Sequence, residues 1–296
     1  MRIRDAWCVL ALLLAPLPAW AATDPCLAPG QDMPALSAMK AAGFVVADPA
    51  AKTALADTLV GCLGSADPAL RDGIAYEALS TWMRAGDFDP PQLRALRTQL
   101  YAALEAPDAA GFRGPFAALV LSEVARTDRI APWMSADERA DMLERAAGYV
   151  EQVRDYRGYD AAEGWRHGVA HGADWLMQLA MNPALAPPQL HWILGAVASQ
   201  AVPSAPHAYV FGEPGRLARP VLFVARHEKL QAADWQAWFA TLAPRLGDRQ
   251  QDMAAWLARR HDLQAFLSAL YLDASRSEDP GIRAMLPALV AALDGG

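Results

Sequence analysis

Cysteine is scarce in this chain, at three in 296 residues, and the first of them, Cys8, lies in a short apolar run that ends at Leu14. No segment approaches the roughly 20 apolar residues that a membrane-spanning helix needs. An excess of positive charge is also missing. The chain holds 26 Lys and Arg against 33 Asp and Glu, a formal charge of −7. Nucleic acid is therefore a poor partner, because a basic face is its usual footprint. Valine, isoleucine and threonine are sparse beside alanine, which disfavours sheet and favours helix. No glycine-rich phosphate loop precedes a helix, and Gly-x-Ser-x-Gly does not occur.

What is present begins with a leader. Arg2 and Arg4 precede the apolar run, and Ala19-Trp20-Ala21 has the small-x-small pattern of a cleavage site, so residues 1–21 read as a secretory signal peptide. No cysteine at that point invites a lipid anchor. With Arg2, Arg4 and Asp5 the leader carries a net +1, and its removal takes the formal charge from −7 to −8. The expected location is periplasmic or secreted. In an oxidising compartment the two remaining cysteines, Cys26 and Cys62, are expected to pair as a disulfide rather than stay as buried thiols.

The rest reads as helix. Asp67-Pro68, Asp89-Pro90 and Asp279-Pro280 each set an N-cap acid before a proline at the first helical position. Ser135-x-x-Glu138 and Asp160-x-x-Glu163 read as capping boxes. Between these marks the periodicity predicts helices over 33–42, 48–63, 68–85, 90–105, 115–127, 136–154, 161–181, 188–201, 214–227, 231–246, 250–273 and 280–293. The organisation expected is an N-terminal arm over 22–64 and a helical-repeat domain over 65–296. An echo supports repetition: Arg71-Asp-Gly-Ile-Ala-Tyr76 is similar to Arg166-His-Gly-Val-Ala-His171, and each precedes a Pro-Pro-Gln-Leu. The fold class is all-α, an array of antiparallel helix pairs of the HEAT-like solenoid type or, alternatively, a closed α/α ring. The segment 202–213, with Pro203, Pro206 and Gly212, is the longest loop and the natural place for binding residues.

The segment 157–175 carries the chemistry. On a helix over 161–181 at about 100° per residue, His167, His171, Asp174 and Glu163 fall within an arc of about 80°, opposite an apolar face. Gly164, Gly168 and Gly172 run beside this stripe and call for something packed close, since mid-helix glycine costs up to about 1 kcal/mol relative to alanine. His167, His171 and Asp174 can converge on a divalent metal, although the glutamate of a zincin motif is missing. They can equally do acid–base work, contact a polar ligand, or form a structural network in which Asp174 pairs an arginine.

The strings Arg157-Gly-Tyr159 and Gly164-Trp-x-His167-x-x-Ala-His171-x-Ala-Asp174 resemble the central signature of the domain-of-unknown-function family 2785. Leu70-Arg-Asp72, the stretch from Arg113 to Leu119, and Glu213 with Arg216-Leu-Ala resemble looser segments of it, over roughly 65–230. The resemblance implies an all-helical fold and names Arg113, Arg157, Tyr159, Glu213 and Arg216 as companions of the histidine stripe; it implies no reaction.

His191, His207, His227 and His261 are scattered and read as surface or capping residues. Trp82, Trp192, Trp235, Trp238 and Trp256 sit inside helical runs and read as core. Two function classes follow. One is a binding module whose His/Asp/Arg pocket holds a small ligand or a protein. The other is a hydrolase that uses His167, His171 and Asp174 as metal ligands or acid–base groups, with an arginine on an anionic substrate.

Overall fold

A computed structural model describes residues 24–295. The leader assigned to residues 1–21 lies outside them. The described chain is all-α, with one two-stranded sheet. Its helices are α1 Met33–Ala41, α2 Pro49–Cys62, α3 Pro68–Leu70, α4 Glu77–Ala85, α5 Pro90–Glu105, α6 Arg113–Ile130 and α7 Ala136–Gln152, followed after the hairpin β1 Tyr159–Asp160 and β2 Gly164–Trp165 by α8 Gly168–Ala180, α9 Pro187–Ala201, α10 Glu213–Ala225, α11 Ala232–Ala240, α12 Met253–Ala274 and α13 Pro280–Gly295. Among the described residues no helix is long and apolar enough to cross a membrane.

The caps form as the sequence prescribes. Asp67 Oδ1 accepts from the Ala69 amide at 2.8 Å, and Asp279 Oδ1 accepts from Gly281 and Ile282. Asp89 with Gln92, and Ser135 with Glu138, close true capping boxes. Cys26 and Cys62 form the disulfide, which fastens the N-terminal arm to the last residue of α2.

Three expectations are corrected. The stretch 68–85 is not one regular helix, because Arg71–Tyr76 between α3 and α4 widens into a π-helical turn. The expected helix 231–246 stops at Ala240 and continues as a 3-10 turn, Ala243–Leu246. The expected helix 161–181 begins only at Gly168. Asp160 does bond the amides of Ala162 and Glu163, as a cap would. Gly164 then takes φ +75° and turns the chain back into β2, while the Arg71 guanidinium claims the Glu163 carbonyl at 2.8 Å.

Alternate helices pack side by side: α4 on α6, α6 on α8, α8 on α10 and α10 on α12 make one row, while α7 packs on α9 and α11 on α13. One hydrophobic core runs through them from Leu36 to Leu289. Trp82, Trp235 and Trp238 are buried in it, but Trp192 is 48% exposed and Trp256 only partly buried, because a helical run alone does not say which side faces the core. Helix α8 is enclosed by α6, α7, α9 and α10, so it buries its polar stripe as well as its apolar face. Gly168 and Gly172 explain part of that closeness. A Cβ on Gly172 would stand 2.6 Å from Val150 Cγ2 and 3.0 Å from the Tyr149 ring on α7. Gly172→Val is therefore expected to destabilise the protein by about 1–3 kcal/mol through overpacking, read as a lower denaturant midpoint with an unchanged slope.

Candidate functional site

The site is built where the β1–β2 hairpin runs into α8. Tyr159 pairs with Trp165 across the hairpin, and the ladder extends through Arg166 N–H to the Gly158 carbonyl and His167 N–H to the Arg157 carbonyl. Gly158 has to be glycine, since a Cβ there would lie 2.0 Å from the Phe211 ring. His167 is the N-cap of α8 with φ 60° and ψ 38°. A left-handed conformation is uncommon outside glycine and stores strain that surrounding structure must offset.

His167 is 9% exposed and His171 6%. Trp165 stacks on the His167 ring at 4.6 Å, and the two imidazoles meet edge to face at 5.8 Å. The His171 ring sits edge-on to Phe116, and its Nδ1 lies 3.1 Å from the Pro115 carbonyl. A carbonyl only accepts, so Nδ1 carries the proton of the neutral ring and Nε2 is left as an acceptor. Burial, then the neighbouring Arg216 charge, lowers the His167 pKa to about 4. Burial, then His167 and Arg216, lowers that of His171 to about 3. Both rings are neutral near pH 7.

Asp174, one turn further along α8, is held by Arg216 of α10: Nε donates to Oδ1 at 2.8 Å, and Nη2 donates to Oδ2. Desolvation, then Arg219, lowers the Arg216 pKa. A second bidentate pair, Arg84 of α4 with the buried Glu123 of α6, lies in the same helical row. Glu213, the first residue of α10, is 3% exposed. Its Oε2 accepts from the Phe211 amide at 3.0 Å, and its Oε1 stands 3.7 Å from His167 Nε2. Burial raises its pKa. His167 Nε2 is itself buried without a hydrogen-bond partner.

The structure thus brings His167, His171, Asp174, Glu213 and Arg216 together. Tyr159 lies at the outer edge, 51% exposed against Trp165. Arg113 and Arg157 do not join. Arg113 reaches the Pro107 carbonyl and covers Gly64, and Arg157 closes on Asp155 and the Ala110 carbonyl. Glu163 is displaced too: it precedes the helix that was to carry it, and it pairs with Arg166. Among the described residues no group of three His, Cys, Asp or Glu side chains is arranged to hold a metal ion. Arg216 donates to both oxygens of Asp174.

Trp165, which stands inside the motif, also lines the histidine cluster, as do the Pro115 carbonyl and Phe116, which no spacing pointed to. The echo between 71–76 and 166–171 had a physical counterpart. The Arg71 and Arg166 guanidiniums both lie over the Phe112 ring, at 4.0 and 4.2 Å from its centroid. They tie the π-turn and the hairpin to the start of α6. Of the remaining histidines, His227 caps the α8 terminus at the Ala180 carbonyl and His191 and His261 are exposed, but His207 stacks on Tyr156 at 4.9 Å.

These features define an all-α protein with a neutral two-histidine cluster and a buried Asp–Arg pair beneath an aromatic hairpin. The family model described as protein of unknown function (DUF2785) matches residues 100–272. The chain belongs to that family. The match covers the signature and extends almost to the end of α12, beyond the expected limit near 230, while Leu70-Arg-Asp72 precedes it. No curated protein and no solved structure matches the chain.

Asp174→Ala is expected to cost about 1–2 kcal/mol, because it removes the partner of a partly buried Arg216; Asp174→Ala/Arg216→Met in combination should recover part of that loss in chemical denaturation. The lowered histidine pKa values fix a pH dependence. The unfolded chain binds these protons near pH 6.5, and the native state binds them only near pH 4 and pH 3. The neutral rings' contribution is whole above pH 6.5 and is lost as the pH falls toward 4. Between those values wild type should lose more stability than His171→Gln, with a difference in slope near 1.4 kcal/mol per pH unit, read from denaturation midpoints at matched ionic strength.

Proposed function

We propose that this protein is a binding module acting outside the cytoplasm, and that the cluster around His167 holds a small polar ligand. The observation that carries the reading is His167 Nε2, a buried polar atom without a partner. Buried polar groups are almost always hydrogen-bonded, and the exceptions concentrate at functional sites or at ordered water. The residue that bears this atom also sits in a left-handed conformation, a second local cost that folding alone does not explain. Glu213 adds a buried carboxyl beside it, and the long loop supplies both Phe211 and Glu213. The disulfide fits an oxidising compartment, and the rows of alternate helices support reading the fold as an array of helix pairs. One observation favours an acid–base hydrolase as the second reading: the raised Glu213 carboxyl and the neutral His167 ring face each other at 3.7 Å.

A ligand-binding histidine and a structural one answer differently to substitution. Asparagine tolerates the left-handed conformation better than histidine, so His167→Asn should leave the melting temperature unchanged or raise it if the residue is kept for a ligand. A fall of several degrees, with native circular dichroism retained, would identify His167 as part of a structural network and remove the binding reading.

A further inference from the structure

The end of α6 that lies away from the histidine cluster borders a cavity of about 390 Å³, enclosed by the end of α4, the start of α5 and the turn 131–133. We infer that this cavity is a second binding site, for a small amphipathic carboxylate whose apolar body rests on Phe88, Leu93, Ile130 and Trp133 and whose oxyanion pairs with Arg126. Its volume falls within the roughly 300–1,000 Å³ of ordinary small-molecule sites. It stands roughly 20 Å along α6 from the His171 contact at Pro115, and it does not depend on what His167 binds.

Charge selects the anion. Arg126 lines the cavity and is only partly exposed. Among the described residues no carboxylate pairs with it and no acceptor bonds it. Arg129, three positions on and so a neighbour on the helix surface, bonds only the neutral Gln178 amide, at 3.3 and 3.4 Å. Burial, then the Arg126 charge, lowers the Arg129 pKa, so the two guanidiniums repel each other with no carboxylate paired to either. The nearby acids are engaged elsewhere. Asp128 pairs with Arg139, Asp87 with Lys52 and Glu123 with Arg84, and Asp89 caps α5. None of these carboxylates lines the cavity, which leaves a cationic ligand without a partner. A helix C-terminus gives a cation a modest structural use, but Arg129 already fills the last turn of α6. An unpaired guanidinium facing a cavity suits a carboxylate, which its planar fork can hold through two parallel hydrogen bonds.

The walls select the apolar body. Met83, Phe88 and Leu93 form a buried floor, Trp133 is half-buried, and Ile130 is 60% exposed. A single exposed isoleucine is ordinary, but this one edges an apolar cavity beside an unpaired cation. The polar side chains there are already satisfied: Trp133 Nε1 donates to Thr127 Oγ1 at 3.0 Å, and that hydroxyl donates to the Val124 carbonyl. A sugar would therefore find few partners. A neutral hydrocarbon would leave Arg126 unpaired, and a bare anion would leave the apolar walls wet.

The test uses the full disulfide-bonded chain and isothermal titration calorimetry. The probes are octanoate and hydrocinnamate, with octanol and hydrocinnamyl alcohol as the apolar bodies without charge, and acetate as the charge without a body. The expected result is saturable binding of at least one of the two carboxylates at about 1 mM or tighter, weakened by sodium chloride, and weakened roughly tenfold or more in Arg126→Gln. Ile130→Ser should weaken it at least about threefold. Arg283→Gln, which makes the same charge change at an exposed arginine of α13, should bind like wild type. Arg126→Gln should keep or raise the melting temperature, since it removes the repulsion with Arg129. Absence of binding by both carboxylates, or binding that Arg126→Gln leaves unchanged, overturns the site. Alcohols that bind as tightly as the carboxylates overturn the anionic ligand, and acetate that does so overturns the amphipathic one. A melting temperature several degrees lower in Arg126→Gln would make that residue structural and remove the proposal.

Discussion

Helix α8 has no face turned to water, and the rest of the site follows from that constraint. A helix enclosed by four others draws partners for its polar groups from its neighbours, although Trp175 Nε1 is left buried without one. Asp174 takes Arg216 from α10, His171 takes the Pro115 carbonyl from the start of α6, and His227 returns to the last turn at Ala180. These bonds fix where α6 and α10 sit along α8. Close packing explains two of its glycines: Gly168 and Gly172 leave room for Tyr149 and Val150 of α7.

The same row of helices is pinned twice by bidentate ion pairs, Arg84–Glu123 between α4 and α6 and Arg216–Asp174 between α8 and α10. In each pair the carboxylate is buried and the guanidinium reaches solvent, so removing the arginine strands a buried charge. Their effect is to set register. The Arg71 guanidinium acts similarly at the other end of the site. It bonds the Ser65 and Glu163 carbonyls and lies over Phe112, and so fastens the N-terminal region, the hairpin and α6 at one point.

His167 carries two costs at one residue. Its backbone is in a left-handed conformation, its Nε2 has no partner, and its ring stacks on Trp165 and meets the His171 ring edge to face. Phe44 and Glu228 share the left-handed backbone, and Trp175 Nε1 and Asp262 Oδ2 are also buried without a partner, but His167 combines both features. Where local preference and packing disagree, a function is the usual reason for keeping the conflict. The conflict also lies at the point where the long loop, the hairpin and α8 meet, so three separate segments must be in place before the site exists.

The local chemistry of this protein was legible in its sequence. The helix starts at Asp67, Asp89, Ser135 and Asp279 depend on side chains reaching amides two or three residues on, and such contacts are written in the spacing. The all-α class followed from composition, and the Cys26–Cys62 pair from the compartment that the leader implied. That His171, Asp174 and Arg216 lie close together was legible because their spacing and the motif's resemblance to a family coincided. The tertiary structure decided the rest. Asp160 makes the same bonds in a turn as in a cap, so the late start of α8 at Gly168 depended on Arg71, 92 positions away. Which of Arg113, Arg157 and Arg216 would meet Asp174 depended on the packing of α10 against α8. Whether a tryptophan is buried, like Trp82, or open, like Trp192 and Trp165, depended on which side of its element another helix covers, a fact that no local spacing records.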